Sequence, residues 1–352
     1  MGGFMYDANP AISAPSAGAA QPVRLVFSGT ASEYFSIWIV NLILSSLTFG
    51  IYSAWAKVRN NRYFYGSTSL DGASFEYHAK PMQILKGRLI AFALIAIYAI
   101  VGNLVPPAGL ALGLLWLFLA PLVINLGLRF NARMSSYRNV HFDFEGSYGK
   151  AFLVVILLPI VTLLTAGILA PLAHREMSRY LANGYRFGTK RFSAELPLGG
   201  FYMIYFQALG LFLIPAIVPL FLWAVGGPLD FSEIGALIPL FLYAAILLLA
   251  LFVRAKARNL VFNSAQLEGG HRFASSLSPW RYAWISASNL FLMVVSLGFL
   301  LPWARVRMAR YIADNTMVIP ASDLSGFVSQ LAANQQSFGS EMADLADVEI
   351  AL

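Results

Sequence analysis

The chain has 352 residues and no cysteine, is 58% hydrophobic and 12% charged, and has a mean hydropathy of +0.66 and a formal net charge of +7. Soluble domains carry roughly 45–50% apolar and about 25% charged residues, so this composition reads as a polytopic membrane protein. Without cysteine, disulfides, thiolate metal sites and cysteine nucleophiles are excluded. The Lys and Arg residues cluster beside apolar runs, as cytoplasmic membrane loops do, which argues against a nucleic-acid partner.

Taken in chain order, residues 1–22 are rich in Ala, Ser, Gly and Pro and read as a disordered N-terminal tail, not a signal peptide. A first segment, type A, covers 23–83. Its hydrophobic arm, Tyr34–Leu47, would give about 21 Å of helix, short of the roughly 30 Å hydrocarbon core. Thr48-Phe49-Gly50 then supplies a permissive break, and Trp55, Lys57, Arg59, Arg62 and Tyr63 form a basic, aromatic return. Short strand signals follow at Tyr63–Tyr65, Ser67–Leu70 and Ser74–Tyr77, around an Asp71-Gly72 turn.

Segment B, 84–138, holds two apolar runs without a charge between about 89 and 128. A second A segment spans 139–200, a second B 201–258 and a third A 259–319, giving the order A–B–A–B–A. Further strand signals lie at Phe27–Gly29, Val140–Phe144, Tyr185–Phe187, Arg191–Ser193 and Leu260–Gln266, and these strands are expected to pair into one small sheet beneath the helices. The acidic end, 320–352, reads as a cytoplasmic tail in which Leu324, Phe327, Val328 and Leu331 keep helical spacing.

Self-similarity supports this division. Setting Gly50 on Gly298 aligns Trp55-Ala56-Lys57-Val58-Arg59 with Trp303-Ala304-Arg305-Val306-Arg307, and Asn41 with Asn289. Setting Gly50 on Gly167 aligns Thr48 with Thr165, Arg62 with Arg179 and Phe75 with Phe192. Both B segments lead into an Arg-Asn-aliphatic-x-Phe string, Arg138-Asn139-Val140-His141-Phe142 and Arg258-Asn259-Leu260-Val261-Phe262.

Charge decides how the A segments are read. If they spanned, strict alternation would put the two loops free of Lys and Arg, Val101–Gly109 and Val225–Gly235, on opposite faces, against the positive-inside rule. If they dip in and return, every basic cluster is cytoplasmic. The expected fold class is therefore an all-α polytopic membrane protein with internal repeats. It has four full transmembrane helices, three re-entrant or interfacial helical hairpins and short cytoplasmic β-strands, with both termini inside.

The run LTFGIYSAWAKVRNNRYFYGSTSLDGASFEYHAKPMQILKGRL, with F-S-G ahead of it, resembles the YjgN-like bacterial inner-membrane proteins over roughly residues 23–315. The resemblance implies a multi-pass protein of the bacterial inner (plasma) membrane. It carries over no catalytic or ligand residue, because that domain has no assigned function.

The residues point to few chemical sites. No catalytic residue, metal ligand set or cofactor is implied: His78, His141, His174 and His271 lie apart, and no nucleotide or hydrolase motif occurs in a suitable context. The protein is expected not to be an enzyme. Asn41, Thr48, Gly50, Thr165, Gly167, Asn289 and Gly298 are candidates for a cavity or helix break at depth. Lys57, Arg59, Arg62, Arg179, Arg305, Arg307 and Arg310 are candidates for anionic headgroups or phosphate, so membrane lipids are the expected partners. Transport or conduction of a small solute or amphipathic molecule is the leading functional expectation. A non-enzymatic scaffold or anionic-lipid binder is the alternative, with protein partners and homo-oligomerisation left open.

Overall fold

The computed structural model describes residues 21–226 and 238–333. The N-terminal tail, most of the Val225–Gly235 loop and the end of the acidic tail lie outside the described residues. The chain alternates short strands with pairs of helices. Unit one is β1 (Val23–Phe27), α1 (Ala31–Leu47), α2 (Ser53–Gly66) and β2 (Thr68–Leu70). Unit two is β3 (Ala73–Tyr77), α3 (Pro81–Leu104), α4 (Pro106–Arg133) and β4 (Ser135–Tyr137). Unit three opens with β5 (Val140–Phe144) and α5 (Tyr148–Phe152), which continues through a π-helical turn, Leu153–Leu157, into α6 (Leu158–Leu164). It returns through α7 (Ala170–Gly184) to β6 (Tyr185–Phe187). Unit four is β7 (Lys190–Ala194), α8 (Leu198–Gly226), α9 (Ile238–Ser264) and β8 (Ala265–Leu267). Unit five is β9 (His271–Ser275), α10 (Pro279–Val295), α11 (Leu301–Asp314) and β10 (Thr316–Ile319), and α12 (Leu324–Ala333) follows it.

The strands close into an antiparallel barrel in sequence order, with β1 paired to both β2 and β10. This overturns the expected all-α class. Strands of three to five residues stand at most of the places where short strands were expected, but they form a closed ring and not one small open sheet, and ring closure removes every open edge. The count of four full spans fails as well. Among the described residues, α3 and α4 are the helices long and apolar enough to cross a membrane. Two local expectations shift: Tyr63–Tyr65 and Leu260–Ser264 are helical, and the strands begin only at Thr68 and Ala265.

Primed turns set the hairpins. Asp71-Gly72 and Arg138-Asn139 all take positive φ, between 47° and 73°, which matches the twist of the flanking strands. Arg138 also donates to the Asp71 carboxylate at 2.9 Å, linking the two turns. Inside the barrel, Leu70, Tyr137, Phe187 and Leu267, each the last residue of its strand, pack with Val140 and Val318. Leu324, Val328 and Leu331 of α12 close this end as an apolar plug, so the helical spacing read in the tail sits on the barrel mouth.

At the opposite end each returning helix reaches the next unit. A side chain takes the carbonyl two residues beyond that unit's first strand: Arg62 to Ala79 (3.3 Å), Asn125 to Gly146 (3.3 Å) and Arg175 to Leu196 (2.8 Å). Asn259 takes Leu277 (2.8 Å), and Arg310 takes Gly29 (3.0 Å), which closes the ring from last unit to first. Each bond satisfies a strand-exit carbonyl that the ladder cannot reach.

Candidate functional site

The helices rise from the barrel and return to it, and a chamber of about 1000 Å³ lies where they meet its open mouth. Phe75, Phe142, Phe192 and Phe273 face the chamber at the same register, the third residue of β3, β5, β7 and β9. The walls come from α7 (His174, Ser178, Leu181), α8 (Tyr205) and α9 (Leu249, Val253, Arg254, Arg258, Phe262). Below the phenylalanines the barrel interior is filled. The chamber therefore ends on a packed aromatic floor.

Few polar groups converge on it. The His174 ring nitrogen Nδ1 lies 3.2 Å from the Tyr205 hydroxyl. Arg258 donates to Ser275 Oγ at 2.7 Å and to Thr316 Oγ1 at 3.0 Å, and its guanidinium covers the Phe262 ring at 4.2 Å. Among the described residues the chamber lining contains no carboxylate.

Of the candidates for a cavity or helix break at depth, the two asparagines lie between paired helices, and the glycines and threonines lie at the helix tips. Asn41 is buried between α1 and α2 and donates to Asn60 Oδ1 at 3.1 Å. Asn289 is buried between α10 and α11, donates to the Ala304 carbonyl at 3.0 Å and accepts from Arg307 at 3.2 Å. Both act as clasps that hold an antiparallel pair together. Gly50, Gly167 and Gly298 form three tips of one geometry, with φ of 88°, 88° and 90°, each following a residue near 50°. In each tip the glycine N–H donates five residues back, to Ser45, Thr162 and Met293. Thr48 Oγ1 donates to the Leu44 carbonyl and accepts from the Tyr52 N–H, and Thr165 Oγ1 donates to Val161. These hydroxyls satisfy backbone at a helix end.

The basic candidates separate. Lys57 and Arg59 are exposed on α2. Arg62 and Arg310 hold strand-exit carbonyls, and Arg305 donates to the Tyr34 hydroxyl at 2.8 Å. Arg179 lines a separate cavity of about 300 Å³ with Glu176 and Lys150. Arg307 and Arg310 border one of about 570 Å³ with Arg281, Trp284, Trp303 and Asp314. The histidines are also dispersed, apart from a 5.1 Å ring contact between His78 and His141. His271 is buried under α12 against Phe327, and burial holds its pKa below the usual 6.5.

The aromatic floor escaped the sequence reading although its signal was present. Two turn residues, two more residues and then Phe recur as Asp71-Gly72-x-x-Phe75, Arg138-Asn139-x-x-Phe142, Gly188-Thr189-x-x-Phe192 and Gly269-Gly270-x-x-Phe273. The shared Arg-Asn string obscured it, because Arg138-Asn139 is a turn whereas Arg258-Asn259 lies inside α9. Counting back from the following strand gives the correct equivalence, in which Arg62, Arg129, Arg179, Asn259 and Arg310 each stand six residues before it.

Comparison with known proteins gives a consistent family. The chain is 26% identical to inner membrane protein YjgN of Salmonella typhimurium over 350 aligned residues, covering 84% of this chain and 88% of that one. Inner membrane proteins YjgN of Escherichia coli O157:H7 and K12 are 34% identical over 143 residues, 40% of this chain and 36% of theirs. No solved structure matches the chain. The matching family model, described as bacterial protein of unknown function (DUF898), covers residues 22–345, and these relatives support an integral protein of the bacterial inner membrane. The chain belongs to the DUF898 family.

Proposed function

We infer that the protein is a membrane-embedded binding protein that takes a lipid-like, amphipathic molecule into the chamber. The observation that carries this reading is a space of about 1000 Å³, the upper end for a small-molecule site, walled by aromatic and aliphatic side chains with few polar groups. Conduction of a solute through the barrel is disfavoured, because its interior is packed and α12 fills its far end. Carriage of a molecule between the chamber and the bilayer remains compatible with this geometry. No catalytic step is part of the reading.

Burial and charge support the membrane placement. Windows of α3 and α4 are only 6% and 11% buried within the protein, and Leu89, Phe92, Ile95, Ile100, Leu110 and Leu114 stand exposed. Such a patch belongs in lipid. The barrel is joined to the basic segments, so the positive-inside rule favours a cytoplasmic barrel, with α3 and α4 crossing as a pair. The chain entering β1 and the chain leaving β10 would then share that side. Because the chain has no cysteine, Asp71→Cys should react with an impermeant maleimide only in inverted vesicles, and Ala108→Cys only from outside intact spheroplasts. The reverse pattern would reject this topology.

The binding reading is tested by extracting the purified, detergent-solubilised protein and identifying small molecules by mass spectrometry. Wild type should carry a lipid-like molecule at a substantial fraction of one per chain. Ser178→Trp, which fills chamber space from α7, should lose it while keeping its melting temperature. Equal content in wild type and in folded Ser178→Trp would reject the chamber as the binding site.

A further inference from the structure

We propose that the chamber's ligand carries an acidic headgroup, phosphate or carboxylate, and that Arg258 is the residue that recognises it. This rests on the chamber reading and extends it to ligand class. A guanidinium has five N–H donors, and Arg258 spends two of its bonds on the neutral hydroxyls of Ser275 and Thr316. Its Cζ lies over the Phe262 ring, 4.2 Å from the centroid. The chamber lining holds two arginines, Arg254 and Arg258, and neither pairs with a carboxylate among the described residues; Arg254 is exposed, whereas Arg258 is half-buried at the chamber's barrel end. It lines a chamber that likewise holds no acid. A cation withdrawn from water without a counter-charge is costly, and an anion entering beside it recovers that cost through short charge-assisted bonds.

Register singles out the same residue. Seven residues before the second strand of each unit stand Asn61, Leu128, Ser178, Arg258 and Ala309. Only one of these five equivalent places carries a charge, and together with Ser178 it faces the chamber. The strand-exit bonds do not use it, since Asn259, its neighbour, takes Leu277; its own two bonds clip the paired residues Ser275 of β9 and Thr316 of β10 and leave its remaining N–H donors for a ligand. Arg258 also lies near the barrel end of α9, so an acid bound there sits at the polar end of the chamber, and the rest of the molecule extends along the apolar helices toward the bilayer. That is how a lipid of the barrel-side leaflet is oriented.

The test uses the full-length purified protein and two probes with the same acyl chains, dioleoyl phosphatidic acid and dioleoylglycerol, with inorganic phosphate as a third. Wild type should bind phosphatidic acid at least about tenfold more tightly than dioleoylglycerol, the range expected of hydrogen bonds to a charged group. Arg258→Gln should remove that preference while the variant keeps the wild-type melting temperature, and Arg258→Lys should restore part of it. Phosphate at millimolar concentration should compete only weakly, since it lacks the apolar part. Equal binding of the two lipids by wild type overturns the acidic-headgroup inference whatever the variants do, and leaves the chamber reading standing. An undiminished preference in Arg258→Gln overturns the assignment to this residue. Phosphate binding as tight as phosphatidic acid overturns the amphiphile. If neither lipid binds, or binding survives Ser178→Trp, the chamber reading itself fails.

Discussion

Between Phe27 and Thr68 the chain makes one helical pair, and between Tyr77 and Ser135 it makes another on the same plan. Both leave a barrel strand, turn back and anchor on the next unit, through Arg62 in one case and Asn125 in the other. Their interiors differ. The α1/α2 pair buries Asn41 against Asn60 and returns with Lys57, Arg59 and Arg62, whereas α3/α4 carries no charge between about 89 and 128. Their tips differ as well: the first pair turns on the left-handed Phe49-Gly50, the second on Val105-Pro106, with Gly102 and Gly109 in close approach. A single strand-to-strand frame thus serves a short, polar-cored arm and a long, apolar one. The side chains on the arms, not the frame, set how apolar each one is.

The largest expected effect separates the two environments. Leu94→Arg, on exposed α3, should cost about 2.5–3.5 kcal/mol of insertion free energy. Leu47→Arg near the tip of α1 should cost clearly less, because a long side chain there can reach the headgroups. The fraction of chain that resists alkaline extraction measures both, and equal losses would end the distinction between arms.

Next is Gly109→Val. A Cβ built at Gly109 would lie 2.7 Å from the Gly102 Cα, so the helices must separate, at about 1–3 kcal/mol; thermal unfolding in detergent reads it. Gly50→Ala meets no neighbour within 4 Å but must hold φ at +88°, a backbone cost of about 1 kcal/mol. Gly167→Ala and Gly298→Ala should match it if the three tips are equivalent. The smallest change is expected for Asn41→Ala, about 0.6 kcal/mol, the average worth of a polar contact between membrane helices. A larger loss there would mean that Asn41 does more than hold α1 to α2.

Much of the helical plan was legible in the residues. The offset that places Gly50 on Gly167 and Gly298 finds three tips with φ within a few degrees of one another, because a left-handed turn demands the same residue each time. Leu324, Val328 and Leu331 announced a helix whose apolar face now plugs the barrel. Most of the short strands were legible, as at Ser67–Leu70 and Val140–Phe144, but their closure into a ring was not, because the pairing of β1 with β10 joins segments about 300 residues apart that no local pattern connects. Polarity inside the apolar arms was legible but not decisive. Asn41 and Asn289 were candidates for a cavity or a helix break, and each bonds to the returning helix of its own pair, with Asn41 Oδ1 left without a partner among the described residues. Arg258 was hidden for another reason. Its neighbours spell the same string as Arg138-Asn139, and only the three-dimensional register shows that the two strings occupy different places.

The bond from Arg310 to the carbonyl of Gly29, with the pairing of β1 to β10, has a consequence for biogenesis. Until the ribosome has released residue 319, the nascent chain holds an incomplete ring whose first strand exposes an unsatisfied edge. A messenger truncated anywhere inside unit five should therefore yield a product that quality-control proteases remove, even though α3 and α4 have already been made.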